Sequence, residues 1–424
     1  MDSSLANRGR KVIGLWSAIL LVSLAFGLAS TQFLAVCLAE RPDPSGWNVA
    51  ARLDPANAEY RDLQANYAFF SGSSEQAVKL LDAATALNPH KSEYWLDLAK
   101  VEQSIGRAAE SRRHLADAIA NDPNSTTVAW QAGSFFWSQN EPIDALNEFR
   151  VVLASKGELA PAALENCWQI KPDAGFLLTN IIPQDRDSVA GFLEFLISKN
   201  DKSGAAAAWS RLVALNQPIE SRYVLEYMNF LFSGKDIVQA KRVWKDSAKL
   251  TDTALYQPSA ENLVVNGSFE LPSLNYGFDW HYDKSPGVTL SLDQNEFHSG
   301  NRSLAIEFDS TSLEQIPVAQ FVAVEPNTDY RFEAFYKTER LEGVTSPQVL
   351  VWDGYSDHTN FASDEMRAAG KWTAVQGNFH TAPDAQLLTI RIERTPLNRA
   401  IRGKLWLDDI RLTPLSTRTA RQDR

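Results

Sequence analysis

Three tripeptides at a fixed spacing constrain this chain more than any other feature. Leu53-Asp54-Pro55, Leu87-Asn88-Pro89 and Asn121-Asp122-Pro123 recur at intervals of 34 residues, and Tyr60 and Tyr94 keep the same interval. Small residues follow the period as well, as Ala65, Ala99 and Gly133 and again as Ala77, Ser111 and Ala145, with Leu81, Leu115 and Phe149 in step. A period of this length is one helix–turn–helix unit, which cannot bury its apolar face alone and therefore stacks on copies of itself. The small residues mark where the two helices of a unit must approach closely. An all-α solenoid is predicted over this region.

These residues resemble the tetratricopeptide repeat family over three consecutive units, roughly 58–153. Trp95, Leu98, Ala99, Gly106, Leu115, Ala118 and Pro123 stand at signature positions of the second unit, while Arg61 stands in the first where an aromatic is usual. The pattern then degrades. Residues 157–185 contain Pro161, Pro172 and Pro183, but Ser188–Pro218 and Arg222–Leu250 again read as helical hairpins, with Trp209 and Trp244 as interhelical packing. The helical domain is placed at 40–250, clear over 58–153 and degenerate over 154–250. The resemblance implies a concave face that holds a peptide or partner protein. No charge run or carboxylate pair marks that face.

Ahead of the repeats, Val12 to Ala39 runs 28 residues without a charge, preceded by Arg8, Arg10 and Lys11 and followed by ERPDPS. A membrane helix needs about 20 apolar residues, whereas the apolar part of a cleaved signal uses roughly 7–15. The run is therefore read as a transmembrane helix at 12–39, with a basic cytoplasmic flank at 1–11. The positive-inside rule then puts residues 40–424 across the membrane. The expected location is a bacterial inner membrane, single-pass, with the bulk of the chain periplasmic or extracellular. Cleavage after a small residue such as Ala39, releasing a soluble protein, and a lipoprotein at Cys37 are the alternatives.

Beyond residue 250 the period changes from 3.6 to 2. Thr251–Glu261, with Pro258-Ser259-Ala260, reads as a linker, placed at 251–260. Val318–Val324, Tyr330–Tyr336, residues 386–393 and Leu405–Leu412 read as strands. They are separated by turn signals such as Asn266-Gly267, Ser285-Pro286-Gly287 and Pro326-Asn327. Many short strands with regular turns predict an antiparallel sandwich, placed at 261–415, with 416–424 as a disordered tail. NLVVNGSFE (262–270), HSGNRSLAIEF (298–308), NTDYRFEAFYK (327–337), KWTAVQGNFHTAP (371–383) and LWLDDIRL (405–412) occur in that order. Together they resemble the CenC-type carbohydrate-binding module, a galactose-binding-like jelly roll. That resemblance implies a β-sandwich, often with one structural calcium, and glycan binding more loosely.

Alternation in LWLDDIRL puts Asp408 on the strand face of Trp406, Ile410 and Leu412, and Asp409 on the other. With Ile410 and Leu412 facing the core, Asp408 points inward, which is costly unless it is paired, hydrogen-bonded or bound to a cation. Glu270 is the second carboxylate the resemblance implies. Glu270 and Asp408, with carbonyls near Ser299 and Gly300, are the candidate calcium ligands; hydrogen bonding of Asp408 to the backbone is the alternative. Sugar sites need flat aromatic faces beside polar groups. Trp280 and Tyr282 form one candidate group, beside Asp279 and His281. Trp352, Asp353, Tyr355 and His358 form the other, with Asp357 in the same loop. Core packing is the alternative for both, and Trp372 is read as core.

Net charge is −11, which disfavours contact with a phosphate backbone, so no nucleic-acid partner is expected. Cys37 and Cys167 are the two cysteines, too few for a disulfide framework or a cysteine zinc site. No phosphate loop, GxSxG or HExxH motif occurs, and none of the six histidines falls in a metal or nucleophile motif. The chain is expected to be non-catalytic. Its expected role is that of a membrane-anchored envelope protein with a protein partner on the repeats and a glycan on the sandwich, in polysaccharide assembly or export. The alternatives are an assembly scaffold whose sandwich binds no sugar, and an accessory part of a glycoside-hydrolase system.

Overall fold

The computed structural model describes residues 3–41, 43–312, 315–367, 369–396 and 399–415. The segment 416–424, expected as a disordered tail, lies outside the described residues. The chain divides into two compact units, 1–183 and 184–424.

The first unit is all-α. Its helices are α1 (Ser3–Ala39), α2 (Pro44–Leu53), α3 (Ala58–Phe70), α4 (Ser74–Leu87), α5 (Ser92–Ser104), α6 (Ala108–Asn121), α7 (Thr126–Ser138), α8 (Pro142–Ser155), α9 (Ala160–Ile170) and α10 (Ala174–Asn180). The 34-residue period is now physical. Asp54, Asn88 and Asp122 cap the C-termini of α2, α4 and α6 with φ near one value, −134°, −141° and −144°. The proline that follows each cannot continue a helix. Asn57 and Ser125 then cap the next helices by accepting from Glu59 N and Val128 N. All nine repeated core positions are buried, from Ala65 to Phe149. A Cβ on Gly133 would lie 2.8 Å from the Phe149 ring. Within α5–α6, buried Ser111 donates to the Ala99 carbonyl (2.7 Å), and buried His114 Nδ1 meets Glu102 Oε2 at 2.8 Å.

The last turn of α1 belongs to this core. Ala35 is fully buried with Ala50, Ala51 and Tyr60, and Leu38 and Ala39 pack beside them. The Trp47 indole N–H donates to the carbonyls of Ala39 (3.1 Å) and Arg41 (3.0 Å). Ile19–Ala39 is long and apolar enough to cross a membrane.

The second unit joins helices to a sandwich. α11 (Arg186–Ser198), α12 (Lys202–Leu215), α13 (Ser221–Ser233) and α14 (Ile237–Leu250) are followed by β1 (Trp280–Tyr282), β2 (Val288–Asp293), β3 (Ser303–Ser312), β4 (Val318–Ala323), β5 (Asp329–Gly343), β6 (Gln348–Asp353), β7 (Thr359–Ala362), β8 (Thr373–His380), β9 (Leu387–Glu393) and β10 (Ala400–Pro414). Two antiparallel five-stranded sheets form, in the orders β1-β4-β9-β6-β7 and β2-β3-β10-β5-β8. Their inner faces meet through Val318, Val322, Val349, Val351, Leu388, Ile390 and Ile392 from one sheet and Leu304, Ile306, Phe332, Leu405 and Leu407 from the other. The segment expected as a linker at 251–260 is irregular and mostly exposed, with two residues tied down. Thr253 and Tyr256 are buried, the Trp244 indole donates to Tyr256 O (2.8 Å), and Tyr256 Oη donates to Pro272 O (2.7 Å).

Strict alternation fails in β10. The register on β5 shifts between Asp408 and Arg411, and Asp409 takes a φ of +48°. One extra residue in a bulge reverses the parity that follows it. Leu405, Leu407, Ile410 and Leu412 all reach the core as a result. Asp408 therefore does not share the core face of Ile410 and Leu412.

Candidate functional site

Three of the sequence candidates meet at one open groove on the outer face of sheet β1-β4-β9-β6-β7. Because Val318, Val322, Leu388, Ile390, Val349 and Val351 point inward, alternation turns Phe321, Thr389, Arg391 and Trp352 outward. With Asp353–Asp357 these residues line a space of about 580 Å³. Trp352 is half-buried, and its indole N–H has no hydrogen-bond partner. The Arg391 guanidinium stacks on the ring at 3.9 Å from its centroid and pairs with Glu393 at 2.9 Å. Asn360, on the neighbouring strand, leaves both side-chain polar atoms buried and unpartnered.

The other loop candidates divide. Asp353 lines the groove and holds its own loop, Oδ1 accepting from Tyr355 N at 2.9 Å. Tyr355 lines the groove, but its hydroxyl donates to Phe232 O (2.8 Å), and burial pushes its pKa up to about 12. His358 is exposed and does not line the space; its carbonyl closes the loop by accepting from Asp353 N at 2.9 Å. Sequence reasoning missed Phe321, Thr389 and Arg391. For Thr389 and Arg391 the signal was present, since they alternate with Leu388, Ile390 and Ile392.

The Trp280 group is not a surface. Trp280 is fully buried, its ring 5.1 Å from Phe269 and its indole N–H on Asn266 O at 3.1 Å. Tyr282 packs against the same core, and burial raises its pKa. This pair offers no ring to a sugar. β1 is a short strand whose inward parity falls on both aromatics.

The two expected metal ligands do reach one turn. Glu270 Oε1 accepts from Asn301 N (2.6 Å) and Arg302 N (3.0 Å); Asp408 Oδ2 accepts from His298 N (2.7 Å) and Ser299 N (3.1 Å), and its Oδ1 from Asp409 N (2.7 Å). Gly300 sits between these contacts at φ +68°, where a Cβ would be 2.2 Å from Glu270 Oε1. Asp408 is fully buried, and desolvation lifts its pKa to about 6 against those donors. Every contact just named is an N–H donated to one of the two carboxylates. Among the described residues no group of three or more His, Cys, Asp or Glu gathers. Hydrogen bonding accounts for both carboxylates in this structure; a calcium ion here would be held by Glu270 and Asp408 with backbone carbonyls of the same turn.

Residues 261–398 match the family model described as a carbohydrate binding domain. Among solved structures, the chain is similar to one described as "CBM4 structure and function", at 16% identity over 36% of this chain and 99% of that one, with a TM-score of 0.27. It is similar to the CBM22-1 xylan-binding domain of Paenibacillus barcinonensis Xyn10C, at 16% identity over 38% and 98%, TM-score 0.26. It is also similar to the Yersinia enterocolitica type III secretion chaperone SycD in complex with a peptide of the translocator YopD, at 18% identity over 27% and 92%, TM-score 0.25. No curated protein matches the chain. Residues 261–398 thus match a carbohydrate binding domain, and the helical hairpins that precede them repeat every 34 residues.

Proposed function

We propose that this protein is a non-catalytic, membrane-anchored binding protein that holds a glycan in the Trp352 groove and a protein partner on its helical repeats, in assembly or export of an envelope polysaccharide. The observation that carries the glycan reading is the groove itself, which sets the outward Trp352 ring beside the polar atoms of Asp353, Asp357, Thr389 and Arg391. Pyranose rings offer an apolar face to the indole and hydroxyls to such atoms. The carbohydrate-binding family match over 261–398 supports it, and the CenC type is the member we favour. The anchor reading is supported by the burial of Ala35 and the bonds from Trp47 to Ala39 and Arg41, because cleavage after Ala39 would strip one side of the first helical packing.

The test is titration of the full chain, in detergent, with soluble xylo-, cello- and laminari-hexaoses. Saturable heat with at least one, lost in Trp352→Ala at unchanged melting temperature, is the expected result. No saturation by any of them, or equal binding by Trp352→Ala, sinks the glycan reading at this groove. The scaffold reading draws on one specific observation, the Arg391 guanidinium already lying on the Trp352 ring at 3.9 Å.

A further inference from the structure

The outer face that bears the groove is covered on one side. Its β1–β4 side lies under the last helical hairpin of the same compact unit. His281 and Phe321, the outward residues of β1 and β4, meet at 5.0 Å. Phe232, at the end of α13, packs on Phe321 at 5.2 Å and on Phe278 at 5.3 Å. Trp244 of α14 stands edge-on to Tyr276 and Phe278, and a Cβ on Gly277 would come 2.1 Å from its ring. Lys241 pairs with Glu325 at 2.7 Å. On the far side of Phe232, its carbonyl accepts from Tyr355 Oη, and Lys235 Nζ sits 5.0 Å above the Tyr355 ring. Phe321 and Tyr355, both lining the groove, are thus held by the same helix end.

The groove runs across the strands, from Phe321 on β4 over Thr389 and Arg391 on β9 to Trp352 on β6 and the 353–357 loop. Toward β1 it meets Phe232, which is 8% exposed and locked in an aromatic cluster. A polymer passing through would have to expel that ring and expose the apolar surface it buries. A chain terminus needs no such displacement.

We infer that the groove takes the end of a glycan chain rather than an internal stretch, with the α13–α14 hairpin as the stop. This rests on the glycan reading of the same groove. It assigns the last helical hairpin a part in ligand choice that a free-standing sandwich would lack.

The test uses the full chain in detergent with arabinoxylan, barley β-glucan and laminarin, each before and after partial acid hydrolysis at constant mass. End binding predicts that the molar amount of protein bound per gram rises in proportion to the new ends, several-fold for a polymer cut into several pieces. Capacity per gram that stays level, with binding present, overturns the inference and leaves the glycan reading standing. Binding to none of the polymers or their fragments removes both. A second measurement guards against the composition of the fragments. The variant Phe232→Ala with Tyr355→Phe opens the blocked side, so it is expected to gain capacity on uncut polymer, with Trp352→Ala as the non-binding control. Equal capacity of the variant and the wild type on uncut polymer also overturns the inference.

Discussion

A buried carboxylate decides what its surroundings must supply. Asp408 is met by three backbone N–H groups, which offset part of the desolvation that raises its pKa. The melting temperature of the full chain is therefore expected to be the same in millimolar calcium and in chelator. A rise in calcium that Asp408→Ala abolishes would instead make the turn a metal site with Glu270 and Asp408 as its carboxylates. Asp279 is lifted in the same way, with fewer donors against it. It is fully buried, only its Oδ2 is met, by Leu274 N at 2.7 Å, and its Oδ1 has no partner. Desolvation lifts its pKa to about 6, above the ordinary 3.8 that it regains on unfolding. The folded state then holds the proton more tightly than the unfolded one. The stability this group contributes is complete below pH about 4 and is lost as pH rises through about 6. Asp279→Asn keeps the shape without the charge. Urea unfolding at pH 4 and pH 7 is expected to show the wild type losing on the order of 2 kcal/mol relative to this variant. Parallel pH profiles would refute it.

At the scale of the element, the repeats vary as matched pairs. Ala65 goes with Leu81 and Ala99 with Leu115, but Gly133 goes with the larger Phe149, over which a Cβ would clash at 2.8 Å. Gly133→Ala is expected to destabilise α7–α8 by ~1–3 kcal/mol through overpacking. Adding Phe149→Leu rebuilds the pairing of the other two units and should recover part of that loss in a thermal melt. A single substitution without effect would refute the close approach. The strands were equally legible where alternation holds: residues 386–393 were read as a strand, and β9 spans Leu387–Glu393. Alternation misled in β10 because a bulge at Asp409 cannot be seen in residue type. It misled in β1 because Trp and Tyr suit a core as well as a sugar site.

For the whole molecule, the uncharged run fused to the first helical core predicts a protein whose α1 stays attached. Protease added to spheroplasts is expected to degrade most of the chain and leave a fragment carrying α1 in the membrane. Full protection until lysis, or a mature chain that begins beyond Ala39, would contradict this topology.

Residue identity alone determined the periodic parts of this protein. A 34-residue repeat and a period-2 pattern each state which residues face inward, because burial of apolar surface acts on every repeat in the same way. The same logic exposed the apolar run, whose length needs no partner to interpret. Tertiary structure decided what depends on one-off meetings between distant segments. It tied down Tyr256 within 251–260, turned Trp280 inward and gave Tyr355 to Phe232. It set Arg391 on Trp352 and brought Glu270 and Asp408 to one turn as hydrogen-bond acceptors. Such contacts join residues from 12 to 123 positions apart, once each. With no repetition along the chain there is no local pattern to carry them; only the closed packing of the folded unit selects them.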